Sequence, residues 1–511
     1  MPAIVTRKFK IYNAEHFKEA FSEATPDYLY LFIGRLQEWP NSDTPPAITE
    51  STTAVDYDPW RDMLAAKKIA TNDMSFAVER INWTTGTVYD EYSNFENMDA
   101  HLGKKFYVLT ATNNVYKCIF NNRGATSTVE PTGTSTSIIT TSDGYRWKFM
   151  YSISAAEALD FLTPFYLPVK TLTADDSSAQ WDVQQAAVNG AIHVIDVTAN
   201  GTGYTQRSGT IAGITNSSVI TLDTGASTVD DYYTGATVFI SSGLGASQIR
   251  EITDYVGDTK VLTVNTAFTI TPNTSSTYHI SPLVTISGDG TGATAYANVT
   301  SGQIKKINMV GIGSDYSKAS VVITAPQGSG ATATPYISPR GGHGSDPVDE
   351  LCAHNLTLSV RLSGTEGNNL PSNNDFRVIG LLKNPLLSNS LTSATDTAYD
   401  QTTKLAVINM TGVLDQDEMI TGALSGATAR VVLFANNTST NTTGDLKVVG
   451  INGTFQNEKI TGNTSGYFGN VTSVTSGELE PYEGQILYLE NRPVSVRTFD
   501  QIEDIKLTLQ Y

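Results

Sequence analysis

Internal repeats rich in Gly, Thr and Ser are the feature that most restricts the fold of this chain. The repeated pairs are residues 192–205 with 304–316, residues 284–295 with 322–333, and residues 412–426 with 453–466. Each copy places a tight turn beside a short apolar stretch. Glycine supplies turn conformations that other residues avoid, whereas Thr and Val favour strands. The repeats therefore predict short strands joined by turns.

The composition agrees with a mainly β chain that carries a few helices. Only 16% of the 511 residues are charged, whereas 40% are hydrophobic, which is enough for packed cores. Ala14, Phe17 and Phe21 follow the spacing of an amphipathic helix. Asp58 and Pro59 are typical of a helix start, and the run after them predicts a helix that continues through Lys68.

A change of amino-acid composition along the chain predicts a β-sandwich core domain that is interrupted by two inserted small β modules. The first 175 residues and residues 351–385 are dense in aromatic and apolar side chains, whereas the segments between the core pieces carry the repeats. The predicted division is residues 1–185 as the N-terminal part of the core, 186–340 as an inserted repeat region with a nested module at about 219–280, 341–395 as a continuation of the core, 396–478 as a second inserted module, and 479–511 as the C-terminal strands that complete the core.

The last thirty residues predict three short strands. Residues 485–489 form an apolar run of the kind that is covered on both faces of a sheet. Glu490-Asn-Arg-Pro493 then predicts a turn, because proline cannot donate a backbone hydrogen bond. A second strand alternates over 494–497, a second turn is predicted at Asp500-Gln501, and residues 505–511 alternate as a final strand.

Charge and cysteine usage exclude several classes of protein. The formal net charge is −18, which disfavours binding to phosphate backbones, so we expect no nucleic-acid partner. The N-terminus lacks the apolar stretch of a signal peptide, and no apolar run reaches the length of a membrane span, so we expect no membrane contact. Cys118 and Cys352 fit buried free thiols better than a disulfide.

One cluster of potential metal ligands occurs at the boundary of the first insert. It comprises His343, Asp346, Asp349, Glu350 and His354. A zinc or calcium site is one interpretation, but the spacing matches no standard site. A solvated Gly-rich linker that enters a helix with acids in its first turn explains the residues better. We therefore predict no metal, no cofactor and no catalytic residue.

Aromatic side chains near the repeats raise a binding alternative. Tyr204, Tyr232, Tyr233 and Tyr316 are the candidates for contact with carbohydrate. Tyrosine at such positions is more often a packing residue of a strand or turn. Contact between the inserts and host-surface glycans is the weaker interpretation.

Several segments of the core also carry a family resemblance. Tyr488-Leu-Glu-Asn-Arg-Pro493, followed by Phe-Asp-Gln at 499–501, resembles the C-terminus of the baseplate wedge subunit, the gene-product-eight family, of T-even-like contractile-tailed bacteriophages. Shorter matches to the same family follow in order along the core. They are residues 4–9 as its opening strand, 32–40, 60–83, 115–118, 130–131, 143–147, 374–379 and 384–386. The repeats depart from that family and resemble Gly/Thr-rich modules of other phage virion proteins.

The resemblance implies a late viral structural protein without enzymatic activity. It implies a homodimer that contacts other baseplate wedge proteins in the virion tail baseplate after assembly in the host cytoplasm. The residues expected to serve structure or interfaces are Arg35, Trp39, Trp60, Trp83, Trp147, Glu490, Asn491, Arg492 and Pro493. The alternative is a phage receptor-binding adhesin that uses the repeats. A secreted bacterial β-repeat protein is disfavoured by the missing signal.

Overall fold

The computed structural model describes residues 3–363, 374–436, 441–498 and 501–511, and it is mainly β. Strands account for 45% of the chain and helices for 10%, which confirms the predicted fold class. The turn predicted at Asp500 lies outside the described residues. In the described part of the chain, no helix combines the length and the apolar character needed to cross a bilayer.

Short helices lie before and between the strands. They are α1 (Arg7–Glu19), α2 (Asp58–Asp62), α3 (Ala155–Phe161), α4 (Ala179–Gln185) and α5 (Pro347–Glu350), with a π-helical turn at Thr53–Tyr57 and 3-10 turns at Thr71–Asp73 and Ala100–Leu102.

Two sequence predictions about the helices are wrong. The opening strand predicted at 4–9 is replaced by α1, because the Thr6 hydroxyl accepts a hydrogen bond from the Phe9 N–H and caps a helix there. The helix predicted to run through Lys68 ends at Asp62. The following residues, Met63–Ile69, are a buried strand, since pairing on both sides outweighs the helix propensity of Ala and Lys.

Thirty-one strands form the sheets. The first twenty are β1 (Leu29–Gly34), β2 (Met63–Ile69), β3 (Met74–Glu79), β4 (Tyr107–Leu109), β5 (Asn114–Phe120), β6 (Ile139–Thr140), β7 (Arg146–Ser152), β8 (Tyr166–Val169), β9 (Ile192–Thr202), β10 (Arg207–Thr210), β11 (Gly213–Asn216), β12 (Val219–Thr221), β13 (Ala236–Ser242), β14 (Ile249–Val256), β15 (Val261–Val264), β16 (Thr277–Gly288), β17 (Thr291–Thr300), β18 (Gln303–Ser314), β19 (Ala319–Thr324) and β20 (Ser329–Ile337). The others are β21 (Asn355–Ser363), β22 (Phe376–Lys383), β23 (Ala398–Asp400), β24 (Thr403–Ile408), β25 (Met419–Gly422), β26 (Thr428–Asn436), β27 (Thr443–Asn452), β28 (Lys459–Gly462), β29 (Phe468–Thr475), β30 (Gln485–Ser495) and β31 (Ile502–Gln510). All of these counts refer to the described residues.

Contacts divide the chain into two compact units. The first unit comprises Met1–Ala77, Ala156–Thr163 and His354–Tyr511, and the second comprises Val78–Ala155 and Pro164–Ala353. The domain boundaries predicted at 185, 340, 395 and 478 stay a prediction, because compactness alone does not report which segments were inserted.

The first unit contains a β-sandwich. One antiparallel sheet has the strand order β23-β2-β1-β22-β30, and β31-β21-β3 are neighbours in a second. All six residues of β1 are buried. One hydrophobic cluster joins Leu31 and Ile379 of the first sheet to Leu358 and Leu507 of the second. Burial of this shared face is the main force that holds the two sheets together.

The predicted arrangement of the C-terminus is wrong in two respects. Residues 485–495 form one strand, β30, which continues through Glu490-Asn-Arg-Pro493 without a turn. This strand is also not covered on both faces, since Leu487 is 45% exposed. β30 lies at the end of its sheet, where Pro493 can be accommodated without removing a central ladder hydrogen bond. A register shift beside Val378 takes up the additional residues.

The third pair of repeats forms a closed barrel in the first unit, in the order β24-β27-β26-β25-β28-β29. The two copies meet where Thr421 of β25 lies opposite Thr461 of β28. Each copy also caps a turn of the other. Glu458 accepts hydrogen bonds from Leu424 N, Ser425 N and Ser425 Oγ, and Glu418 accepts from Thr464 N, Ser465 N and Ser465 Oγ.

We expect the Glu458→Gln substitution to lower the free energy of unfolding of this barrel by about 1–3 kcal/mol, because charged acceptors make the stronger hydrogen bonds. Burial alone raises the pKa of Glu458, but the Ser425 and backbone donors outweigh it and lower the pKa to about 2. The carboxylate therefore stabilises the fold above pH 4.5, and this contribution is lost as the pH falls towards 2.

Urea unfolding of the wild type and of Glu458→Gln between pH 6 and pH 3 measures this effect. The difference between the two proteins should shrink as the pH falls. Glu483→Gln is the matched control, since Glu483 is exposed and lies outside the barrel. An unchanged unfolding midpoint for Glu458→Gln at pH 6 contradicts the capping role.

The second unit combines an aromatic sheet with the Gly/Thr-rich repeats. The sheet has the order β4-β5-β7-β6 and packs around Trp147. In the repeat region, the strands of one repeated pair lie side by side: Val284 of β16 pairs with Ile323 of β19, and Ile286 pairs with Val321. β16 also contributes Tyr278 and Ile280 to a separate hydrophobic cluster, in which they pack with side chains such as Ile220 and Val238.

Candidate functional site

The outer edge of β30 is an accessible apolar surface in the first unit. Within its sheet β30 is the end strand, and an end strand presents backbone N–H and C=O groups that another chain can pair with. Leu487, Val494 and Val496 are 45%, 36% and 57% exposed, and Tyr482 before the strand is 59% exposed. We name residues 482–496 the edge segment. An exposed apolar edge of this kind is a candidate protein–protein interface.

The end of β1 holds Arg35 in an unusual conformation beside this edge. A side chain at Gly34 would lie only 2.8 Å from the Asp62 carbonyl oxygen, so the strand must end on glycine there. Arg35 follows with a φ of 62°, and its backbone N–H donates to the same Asp62 oxygen at 2.8 Å. Its guanidinium lies 3.9 Å from the centre of the Trp39 ring and 3.6 Å from Asp62 Oδ2. These contacts fix Arg35 against Trp39.

Trp39 connects the N-terminal part of the unit to the edge segment. Its Nε1 donates a hydrogen bond to the Arg492 carbonyl oxygen at 2.9 Å. Asn491 Nδ2 donates to the Pro46 carbonyl oxygen, also at 2.9 Å. The segment after Trp39 is therefore attached to β30 at two adjacent residues, which lie more than 440 positions away in the sequence.

A pocket of about 140 Å³ lies at this junction. Its lining residues include Arg35, Trp39, Asp58, Asp62, Leu489 and Asn491. Burial lowers the pKa of Arg35, with Asp62 acting in the opposite direction, and the guanidinium stays charged over the ordinary pH range. The pocket therefore offers charged and apolar groups together, a combination that suits an inserted side chain of a partner protein.

The other predicted residues of the first unit serve its packing. Trp60 is only 6% exposed and belongs to the cluster on the opposite face of the five-stranded sheet. Glu490 accepts a hydrogen bond from the Tyr488 hydroxyl at 3.0 Å. Pro493 is exposed on β30. The sequence did not identify Asp62. This residue meets Arg35 only because β2, which begins at Met63, pairs with β1.

Trp83 and Trp147 lie in the second unit and belong to its core. Trp147 is fully buried, with Tyr145 stacked at 5.4 Å and Tyr89 edge-on at 5.7 Å between ring centres. Trp83 packs against the same cluster and donates from Nε1 to Ser127 Oγ at 3.1 Å. Burial of this kind gives Trp147 a role in stability and leaves it out of reach of a partner.

The acidic cluster at 343–350 is a buried network of the second unit. Lys117 Nζ lies 2.8 Å from Glu350 Oε2, and both side chains are almost completely buried. The Tyr92 ring covers this ammonium at 4.2 Å. Gly344 N donates to Glu350 Oε1 at 2.7 Å, and His343 Nδ1 lies 3.8 Å from Glu350 Oε2. The prediction of a solvated linker is therefore wrong, because the ion pair between Lys117 and Glu350 holds this segment in the core.

The electrostatics of this network follow from the ion pair. Burial alone raises the pKa of Glu350, but the charge of Lys117 outweighs it and lowers the pKa to about 2. Burial, with Lys117 adding to it, lowers the pKa of His343 to about 3. Glu350 is thus ionised and His343 neutral at neutral pH. Asp346 caps α5 by accepting from Asp349 N, as the predicted acid-rich helix start requires.

The tyrosines proposed for carbohydrate contact are mostly inaccessible. Tyr204, Tyr233 and Tyr316 are 4%, 6% and 6% exposed, which confirms the packing interpretation for these three and counts against their contact with carbohydrate. Tyr204 and Tyr316 lie over Gly201 and Gly313, where a side chain on the glycine would meet the ring at 2.6 and 2.8 Å. The repeated Gly and Tyr therefore pack together. Tyr232 is half-buried.

Both cysteines are buried and neither forms a disulfide, as predicted. Burial raises the pKa of Cys118 well above its ordinary value, so it is protonated and unreactive at neutral pH.

Comparison with known proteins adds little. No family model matches the chain, and no curated protein matches it. Among solved structures, a chain described as "Virion of native gene transfer agent (GTA) particle" is similar over 52% of this chain and 83% of that chain, at 9% identity and a TM-score of 0.15. A TM-score this low carries no argument about fold or function.

Proposed function

We propose that this chain is a structural protein of a bacteriophage virion that acts through protein–protein interfaces. One contact carries the proposal: the hydrogen bond from Trp39 to Arg492. It joins residues 32–40 and 488–493, two segments that each resemble the baseplate wedge family. Two short resemblances far apart in the sequence thus meet at one accessible sheet edge, which supports a shared role in an interface.

The specific role that we propose is a wedge subunit of the baseplate of a contractile tail. The edge segment pairs with a second copy of the chain, and other surfaces contact neighbouring wedge proteins. The sandwich then moves as a rigid body while its interfaces shift during tail contraction. The protein resides in the virion after assembly in the host cytoplasm.

A role without catalysis is part of the proposal. Two of the acids that the sequence singled out are occupied by structural contacts: Glu350 pairs with Lys117, and Asp346 caps a helix. An adhesin that depends on Tyr204, Tyr233 and Tyr316 has less support, since these rings are buried.

We expect the purified chain to be a dimer and the double substitution Leu487→Lys, Val494→Lys to weaken it by about tenfold or more, because two charges then enter an apolar interface. Sedimentation velocity over a range of concentrations measures the dissociation constant. Leu424→Lys is the matched control, because Leu424 is 76% exposed on a turn of the barrel. A wild-type chain that stays monomeric at all concentrations, or a doubly substituted dimer of unchanged affinity, refutes pairing through the edge segment.

A further inference from the structure

The second unit contains a cavity of about 420 Å³ that no role described above uses. Its polar lining includes Gln206, Arg207, Ser208, Tyr232, Ser281 and Gln327. This volume lies within the range of about 300–1,000 Å³ that is typical of small-molecule sites. We propose that this cavity binds a neutral saccharide, a property independent of the structural role proposed above.

The charges around the cavity favour a neutral ligand over an ionic one. Arg207 is the charged member of the lining among the described residues. Its Nε donates to the Tyr278 hydroxyl at 3.1 Å, and its Nη2 is paired with Asp223. The guanidinium charge is therefore already balanced. An anionic ligand would compete with Asp223 for this guanidinium, and a metal ion would find no carboxylate among the lining residues that the structure describes.

The hydrogen-bonding side chains of the lining are held in place. Gln206 Oε1 accepts from Val299 N at 2.7 Å, and Gln327 Nε2 donates to the Tyr232 carbonyl oxygen at 3.0 Å. Thr205 Oγ1 donates to Gln327 Oε1 at 3.1 Å. Gln206 uses one acceptor position in these bonds and Gln327 uses one donor and one acceptor position. An amide carries two donors and two acceptor positions, so both retain hydrogen-bonding capacity. Preorganised amides with capacity remaining are suited to ligands with many hydroxyl groups.

Apolar surface completes the chemistry of the site. Tyr232 is half-buried and lies edge-on to Tyr233 with ring centres 5.0 Å apart, which limits its movement. Pro282 and Pro326 add further apolar lining. A sugar ring has C–H faces that pack on an aromatic ring and hydroxyl edges that bind amides, so the two kinds of surface fit one ligand.

Binding of the full chain to an array of immobilised neutral and acidic oligosaccharides, followed by calorimetric titration with the neutral oligosaccharide that binds best, tests the proposal. We expect Tyr232→Ala and the cavity-filling Ala325→Trp each to weaken binding by about tenfold or more. Tyr296→Ala is the control for the tyrosine, since Tyr296 is half-buried and does not line this cavity.

The melting temperature of each variant, measured beside its affinity, separates a loss of binding from a loss of folding. We expect Tyr232→Ala and Ala325→Trp to weaken saccharide binding while both still melt cooperatively. Binding of acidic glycans only, binding of no oligosaccharide, or unchanged affinity in Ala325→Trp overturns the proposal.

Discussion

Replacing Lys117 with Met should lower the free energy of unfolding of the second unit by about 3–5 kcal/mol. Lys117 and Glu350 have side chains that are 0% and 1% exposed, and their charged atoms lie 2.8 Å apart. Removing the ammonium leaves the Glu350 carboxylate buried beside the neutral His343, with two backbone N–H groups as its remaining donors. A buried charge without its partner is among the most costly changes that a single substitution can make.

Urea unfolding followed by tryptophan fluorescence measures this loss, since Trp147 lies in the same sheet as Lys117. Lys104→Met is the matched control. Lys104 pairs with Glu96 at the same distance of 2.8 Å, but the two side chains are 35% and 57% exposed. Such a surface pair contributes less than about 1 kcal/mol. Equal effects of the two substitutions would contradict the account of the buried network.

Removing residues 502–511 should abolish the cooperative unfolding transition of the first unit. This deletion takes away β31, which pairs with β21 from Ser363 to Asn355, and it removes Ile505 and Leu507 from the core cluster. The lost burial and pairing amount to about 5 kcal/mol or more, which is comparable with the whole stability of an ordinary domain. Soluble yield and differential scanning calorimetry report the outcome.

Two single substitutions on β31 test the contribution of this strand to stability on a smaller scale. Ile505→Ala should cost about 2–4 kcal/mol, because Ile505 is 7% exposed in the cluster. Ile502→Ala should change stability by less than about 0.5 kcal/mol, because Ile502 is 59% exposed. A truncated chain that still melts in one sharp transition at the wild-type temperature would show that β31 is dispensable.

Local patterns in the sequence predicted the class of structure and several of its strands. The alternation over 505–511, for example, is a strand with one buried side. Local patterns failed where pairing decided the outcome. Residues 63–68 have helix-forming composition but lie between two strands, and Pro493 is accommodated because β30 is an end strand.

The candidate site could be predicted only in part, because its contacts join distant segments. Arg35, Trp39 and Asn491 were identified by resemblance, but nothing local indicates that Trp39 donates to the Arg492 carbonyl oxygen. The same limit applies to Lys117 and Glu350, which are 233 positions apart. Glu418 and Glu458 occupy equivalent positions in the third pair of repeats, which the sequence shows. That each carboxylate caps a turn of the other copy depends on how the two copies pair, which the sequence does not show.

Immunogold electron microscopy of virions, with antibodies raised against the purified chain, tests the central claim most directly. The account predicts gold particles concentrated at the baseplate end of contractile tails, both before and after sheath contraction. Gold on the capsid, gold on tail fibres alone, or absence of the chain from purified virions by mass spectrometry would contradict it.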